Sequence, residues 1–253
     1  MRWTIQAACG CNTGKVRKNN EDNFFFDSKC LEMYNNGLES NFYFEKPLRS
    51  GLCISVFDGM GGENFGEVAS YSAAHQMQIH KKKFTDFFIP ANKYLTQLTN
   101  RLNEAVVKAQ MEMRTDRMGT TMVSLYYANN HIYIYNVGDS RAYHLRKGVL
   151  SQKSVDHVEK RPGKEIKKAP LTQYLGFGTD EFLLEPHITE VELKKDDIYL
   201  LCSDGLTDML TDQEIADILL ENNEVSVCAK KLMQSALEHG GRDNITVIVC
   251  KIK

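Results

Sequence analysis

Hydrophobic and polar positions alternate loosely over Thr4 to Cys11, and the pattern predicts a first strand. A turn at Asn12-Thr13-Gly14 leads through a polar stretch to a second, Asn23-Phe24-Phe25-Phe26. Residues 28–50 are mixed aromatic and polar with a turn signal at Asn35-Asn36-Gly37, and they read as an inserted loop or hairpin. Leu52-Cys53-Ile54-Ser55-Val56-Phe57 is a short apolar run, hence a buried strand, ending at Asp58-Gly59-Met60-Gly61-Gly62. Two helices follow. Gly66 to Lys83 repeats Val68, Tyr71, Ala74 and Met77 at helical spacing and closes on three lysines that suit a helix C-terminus. Tyr94 to Arg114 carries Leu95, Leu98, Leu102, Val106, Ala109 and Met113, a stripe that reads as core packing.

Strand texture then resumes. Thr121 to Tyr126 and His131 to Val137 flank a turn at Asn129-Asn130, and Arg141 to Leu145 follows the break Gly138-Asp139-Ser140. Residues 156–170 are basic and loop-like. Ile188 to Leu193 and Ile198 to Cys202 read as a strand pair across Lys194-Lys195-Asp196-Asp197. Helices are expected at about 211–221 and 224–239, and Asn244 to Ile252 as a closing strand. Strand runs interrupted by helix pairs predict a layered α+β fold, with sheets covered by helices. One domain over residues 1–253 is expected, with no internal repeat.

Composition narrows the function classes. The 253 residues carry 31 Lys+Arg against 33 Asp+Glu, a net charge of −2, which argues against a dedicated nucleic-acid binder. Apolar residues make up 42%, enough for a sizeable core. The longest apolar runs are strand-sized, far below the ~18 residues a membrane helix needs. Seven cysteines occur without any C-x-x-C pair, so neither a zinc ribbon nor a thioredoxin-like site is supported. They read as reduced thiols of a cytoplasmic protein, Cys202 being structural because no C-x5-R loop follows it.

Four acidic residues share one local grammar: each ends or follows an apolar run and adjoins glycine or a tight turn. They are Asp58 (V-F-D-G-M-G-G), Asp139 (N-V-G-D-S-R), Asp204 (L-L-C-S-D-G-L) and Asp243 (G-G-R-D-N-I-T), joined by Glu21-Asp22. Taken singly, each is as well read as a turn residue. Together they would repel: two unit charges about 4 Å apart cost roughly 4 kcal/mol at an effective dielectric of 20. Such a set holds protons or hard cations, and without Cys or His nearby it favours Mg²⁺ or Mn²⁺ over zinc.

The ordered series Arg17-x-x-x-Glu21-Asp22, Asp58-Gly59-Met60-Gly61-Gly62, Gly119-Thr120-Thr121, Gly138-Asp139-Ser140-Arg141, Ser203-Asp204-Gly205-Leu206 and Gly241-Arg242-Asp243-Asn244 resembles the metal-dependent protein phosphatases of the 2C type, in their bacterial form. The resemblance implies a four-layer α-β-β-α sandwich of two mainly antiparallel sheets, with a binuclear Mn²⁺ or Mg²⁺ site at one edge. It implies hydrolysis of phosphoserine and phosphothreonine in proteins by a metal-bridging hydroxide. Asp58 would bridge the two ions, with the Gly59 carbonyl on the second. Asp204 and Asp243 would complete the first, and Glu21 and Asp22 would hold metals directly or through water. Asp139, with Asp204, matches a third and weaker site. Arg17 would grip the substrate phosphate, His157 matches a family position near substrate, and Asn244 would support the ligands from behind.

Two departures from the family pattern stand out. Met60 replaces the histidine proposed as general acid in many eukaryotic members. The flap at about 157–171 is short and carries Lys160, Arg161, Lys164, Lys167 and Lys168 against Glu159 and Glu165. It reads either as a solvated basic loop or as a loop over the metal edge that draws in acidic phosphosubstrates. The implied partners are phosphoproteins, opposite a serine/threonine kinase, with a monomer acting away from nucleic acid and membrane. Two rivals remain at this level: an inactive binding module of the same fold, and a hydrolase of small phosphate esters.

Overall fold

In the computed structural model, residues 3–61, 65–80, 89–159, 169–177 and 183–253 are described. The strands are β1 (Thr4–Asn12), β2 (Asp22–Phe25), β3 (Phe42–Pro47), β4 (Leu52–Gly61), β5 (Met118–Thr120), β6 (Met122–Ala128), β7 (His131–Val137), β8 (Arg141–Arg146), β9 (Val149–Gln152), β10 (His187–Glu192), β11 (Ile198–Cys202) and β12 (Ile245–Ile252). The helices are α1 (Gly66–His80), α2 (Ala91–Met113), α3 (Asp204–Thr207), α4 (Asp212–Glu221) and α5 (Val225–Glu238).

One sheet runs β3-β1-β12-β11-β8-β9 and the other β10-β7-β6-β4-β2, with β5 added on β4. Every ladder among the described residues is antiparallel. Alternation along each strand then builds three apolar layers. Ala7, Cys9, Ile248 and Cys250 meet Phe24, Phe26, Ile54, Val56 and Leu125 between the sheets. Phe25, Cys53 and Phe57 point the other way, into α1 and α2 through Val68, Met77, Leu95, Leu98 and Leu102. Ala8, Leu200, Val247 and Val249 face Leu206, Ile215, Cys228 and Leu232 of α3 to α5. The result is the expected α-β-β-α stack. A strand covered on both faces needs no polar side, which is why Ile245 to Cys250 is an almost unbroken apolar run.

Three local expectations are corrected. β10 and β11 do not pair: β10 lies on β7 in one sheet, β11 between β8 and β12 in the other. The polar link between them crosses from sheet to sheet, and half-exposed β10 beside fully buried β11 is the sign of that switch. β4 does not stop at Phe57; its pairing with β5 carries Asp58 to Gly61 on as strand. Phe42–Pro47 is no appendage but an edge strand on β1, with Pro47 at its end. The four-residue β9 has no counterpart in the hydrophobic pattern. Lys81, Lys82, Lys83 and the flap residues Lys160, Arg161, Lys164, Lys167 and Lys168 lie outside the described residues.

Candidate metal centre

Antiparallel strand order brings five chain segments to one end of the two sheets. Glu21 precedes β2 and Asp22 opens it, Asp58 lies near the end of β4, and Asp139 sits in the turn between β7 and β8. Asp204 follows β11, and Asp243 precedes β12. A cleft of about 410 Å³ at this end is lined by Glu21, Asp58, Asp139, Asp204 and Asp243 together with Gly59, Met60 and Arg17. Ala169, Pro170 and Leu171, from the end of the flap, close one side of it. Thr121, from the Gly119-Thr120-Thr121 motif, also lines it.

Asp22 lies beneath the cleft rather than on it. It stands directly opposite Asp58 across the β2–β4 ladder and is 1% exposed. Ser203 Oγ (2.8 Å) and Thr246 Oγ1 (2.7 Å) both donate to its Oδ2, while Oδ1 has no hydrogen-bond partner among the described residues. Asp58 is held by its backbone. Its amide donates to Thr121 Oγ1 (3.2 Å), and its carbonyl accepts from the Thr121 amide (2.9 Å) and Thr120 Oγ1 (2.9 Å). Thr121 Oγ1 is locked in turn to Ser140 Oγ at 2.6 Å.

Asn244 works as a clamp. Its Oδ1 accepts from the Glu21 amide (2.7 Å), and its Nδ2 donates to the carbonyls of Thr13 and Asn19 (2.9 Å each). The loop carrying Arg17 is thereby fixed to the start of β12. Two glycines permit close backbone approach. A Cβ on Gly59 would strike the carbonyls of Gly66 and Glu21, and one on Gly66 would come within 2.7 Å of the Glu21 carboxyl carbon.

His157 is not among the residues lining the cleft. Its Nδ1 accepts from the Gly138 amide (3.1 Å) and its own amide donates to the Gly138 carbonyl (3.0 Å), so it buttresses the turn that bears Asp139. Burial lowers its pKa, keeping the ring neutral and able to accept. Arg141, in the same motif, forks onto Asp156 with contacts of 2.7 to 3.2 Å. Thr121 and Ser203 stand in quoted motifs without a role of their own there, and the hydroxyl of Thr246, inside β12, leaves no periodic trace.

Charge crowding governs the electrostatics. Burial, then the charge of Glu67, pushes Glu21 up to about 7, with Arg17 opposing. Burial raises Asp22 to about 7 against the hydrogen bonds from Thr246 and Ser203, with Asp204 and Asp243 adding to the rise. Asp58 is held well above the carboxylate range by burial and then by Asp204, Asp22, Asp139 and Asp243. Arg17 meets Asp243 at 2.7 Å. Among the described residues no three Asp, Glu, His or Cys side chains already close into a cage. The donor chemistry nonetheless fits hard divalent cations. It is all oxygen, it has an excess of mutually repelling carboxylates, and one buried Asp22 oxygen lacks a partner among the described residues.

The sequence model of the protein phosphatase 2C family matches residues 42–239. The serine/threonine phosphatase stp of Listeria monocytogenes is 32% identical over 253 residues, covering 93% of this chain and 91% of that one. The serine/threonine protein phosphatase PstP of Mycobacterium tuberculosis is 31% identical over 261 residues. The chain spans 45% of that relative's length. The structure is similar to the catalytic domain of PstP in complex with 2 manganese ions, with a TM-score of 0.77, 28% identity and 99% coverage of both chains. It is also similar to PppA of Pseudomonas aeruginosa, a key regulatory component of T6SS, with a TM-score of 0.74, 26% identity and 98% coverage of both. The chain belongs to the protein phosphatase 2C family.

Proposed function

We propose that this protein is a Mn²⁺- or Mg²⁺-dependent serine/threonine protein phosphatase. The observation that carries this reading is the acidic cleft with Arg17 on its rim, assembled from the family's motifs with the set complete. Asp58, the Gly59 carbonyl, Asp204, Asp243, Glu21 and Asp22 would hold two ions, and Asp139 with Asp204 a weaker third. Bound ions of this kind supply Lewis-acid stabilisation of the phosphoryl oxygens and make water a better nucleophile at neutral pH.

The remaining work falls to the chain. Arg17 presents a planar fork of donors suited to orienting a phosphate, and its hold on Asp243 exchanges for that anion. Asp22 sits too deep to touch substrate and would serve an ion from beneath Asp58, directly or through water. Met60 carries no exchangeable proton, so the leaving oxygen takes its proton from water in the open cleft. His157 acts on Asp139 through the turn and not on substrate. On this reading a single domain acts as a monomer in the cytoplasm opposite a serine/threonine kinase and away from nucleic acid, the last in keeping with a net charge of −2. Among the described residues no helix is long and apolar enough to cross a membrane.

The test is phosphate release from phosphoserine and phosphothreonine peptides with Mn²⁺, with Mg²⁺ and with EDTA. Release with either metal and none with EDTA is expected. Peptide binding without release would favour the inactive module, and turnover confined to small esters would favour the third reading.

A further inference from the structure

A second cavity, of about 430 Å³, lies beside the acidic cleft, lined by Asn19, Asn20, Tyr34, Asn35, Asn36 and Glu67. Its walls come from two parts of the chain. Asn19 and Asn20 belong to the segment between Arg17 and Glu21, while Tyr34 to Asn36 come from the stretch joining β2 to β3. Asn35 ties the parts together. Its Oδ1 accepts from Asn20 Nδ2 (2.7 Å) and the Gly37 amide (2.8 Å), and its Nδ2 donates to the Glu32 carbonyl (2.8 Å). The two cavities share a wall: Glu21 lines the cleft and packs on Gly66, and their chain neighbours Asn20 and Glu67 line the second cavity.

Glu67 and Asn20 are 3% and 2% exposed. Glu67 Oε2 and Asn20 Oδ1 have no hydrogen-bond partner among the described residues. Both atoms are acceptors, and one belongs to a carboxylate. Burial without a donor is unfavourable for either, more so for the charged one. Tyr34, also on the lining, is 71% exposed, and an aromatic ring is a partner suited to a cation or an aliphatic stem.

We propose that this cavity takes the ammonium or guanidinium of a lysine or arginine flanking the phosphorylated residue of a substrate protein, so that the enzyme prefers phosphosites with a basic neighbour. The proposal rests on the reading of the cleft as a phosphatase active site. Lysine and arginine bring a positive charge and several donors with no acceptor, which suits a cavity whose wall carries the carboxylate of Glu67, unpartnered at one oxygen among the described residues. The stretch between β2 and β3 thereby acquires a role in substrate selection.

The test is binding of phosphopeptides that carry a non-hydrolysable phosphonate in place of the phosphoserine phosphate, read by fluorescence anisotropy on the Mn²⁺-loaded protein. Lysine, norleucine or glutamate is placed in turn at the positions flanking the phosphoresidue. At one position or more, lysine should bind about ten-fold more tightly than norleucine, the size of one charge-assisted hydrogen bond, and glutamate most weakly. Glu67→Gln should remove most of that preference. Asn36→Ala, at an exposed position, should narrow it without risk to folding. Equal binding of lysine and norleucine peptides at every position overturns the proposal from the unmutated protein alone. So does a lysine preference that survives Glu67→Gln, or loss of bound Mn²⁺ in that variant with the preference intact, which would make the cavity a cation site. Failure of every peptide to bind, with no Mn²⁺-dependent phosphate release, would overturn the phosphatase reading and this proposal with it.

Discussion

Asp58 and Asp22 face each other across a ladder, an arrangement that destabilises strand pairing when both are charged. Asp58→Asn should therefore act in opposite directions on two observables. Mn²⁺-dependent phosphate release should fall by about a hundred-fold or more, the usual loss on removing one preorganised electrostatic group. The melting temperature of the metal-free protein should rise, because the fold no longer has to hold an acid whose charged form this crowded, buried site disfavours. An unchanged metal-free melting temperature would show that the crowding around Asp58 is relieved in some other way. Asn244→Ala is expected to cost about 1–3 kcal/mol in urea unfolding, since the Glu21 amide and two carbonyls lose their partner. At this scale the sequence is a good guide to the carboxylates, because each stands at a glycine-marked break in an apolar run. It does not reveal Asp22 beneath the cleft or His157 behind the Asp139 turn. Depth is a property of sheet pairing, and the motif text is silent on which side of a turn a ring lies.

Helices and strands carry two opposed effects at Gly66, the first residue of α1. Alanine is favoured over glycine inside helices by about 1 kcal/mol. Here the added Cβ would sit 2.7 Å from the Glu21 carboxyl carbon, closer than real Cβ contacts allow. Packing wins, so Gly66→Ala should displace Glu21 and weaken Mn²⁺ binding measured by calorimetry, whatever it does to helix stability. An unaltered Mn²⁺ affinity would detach Glu21 from the metal site. At α4 the prediction is simpler. Thr211 and Glu214 form a reciprocal capping box, and Thr211→Ala should cost about 1 kcal/mol with activity retained. Element existence is legible wherever periodicity is long, as in α2 and α5. Partnership is less so: β10 and β11 are adjacent in sequence yet belong to different sheets. Hydrophobic pattern reports burial, and burial does not say which neighbour provides it.

Across the whole molecule, charged groups at opposite ends of the sheets give stability a pH dependence of opposite sign. At the end of β8 and β11 away from the cleft, Asp197 accepts from Arg146 (2.8 and 2.6 Å), the Lys194 amide (3.1 Å) and Tyr199 (3.3 Å), with His144 at 3.2 Å. Burial works against its charge, but Arg146 and His144 outweigh it and bring the group down to about 2. Its contribution is complete above pH ~4 and is lost as pH falls through 2, so between pH 5 and 8 it adds no slope. In the cleft the displacements run the other way. Glu21 and Asp22 are pushed up to about 7, and Asp58 is raised well above the ordinary carboxylate range. The folded metal-free protein thus binds protons that the unfolded chain releases near pH 4, and it loses stability as pH rises toward and through 7. His157, lowered by burial, contributes a single opposing slope around its ordinary range. Three carboxylates outweigh one imidazole. Each pH unit that separates a group's titration in the folded and unfolded chains is worth about 1.4 kcal/mol. In EDTA the melting temperature should therefore fall from pH 5 to pH 8 by roughly 5 °C or more. With saturating Mn²⁺ the fall should vanish or reverse, because cations replace the protons and bind better as these are lost. A flat profile in EDTA would mean that the six carboxylates of this end are not crowded as described, and the metal assignment would lose its electrostatic basis.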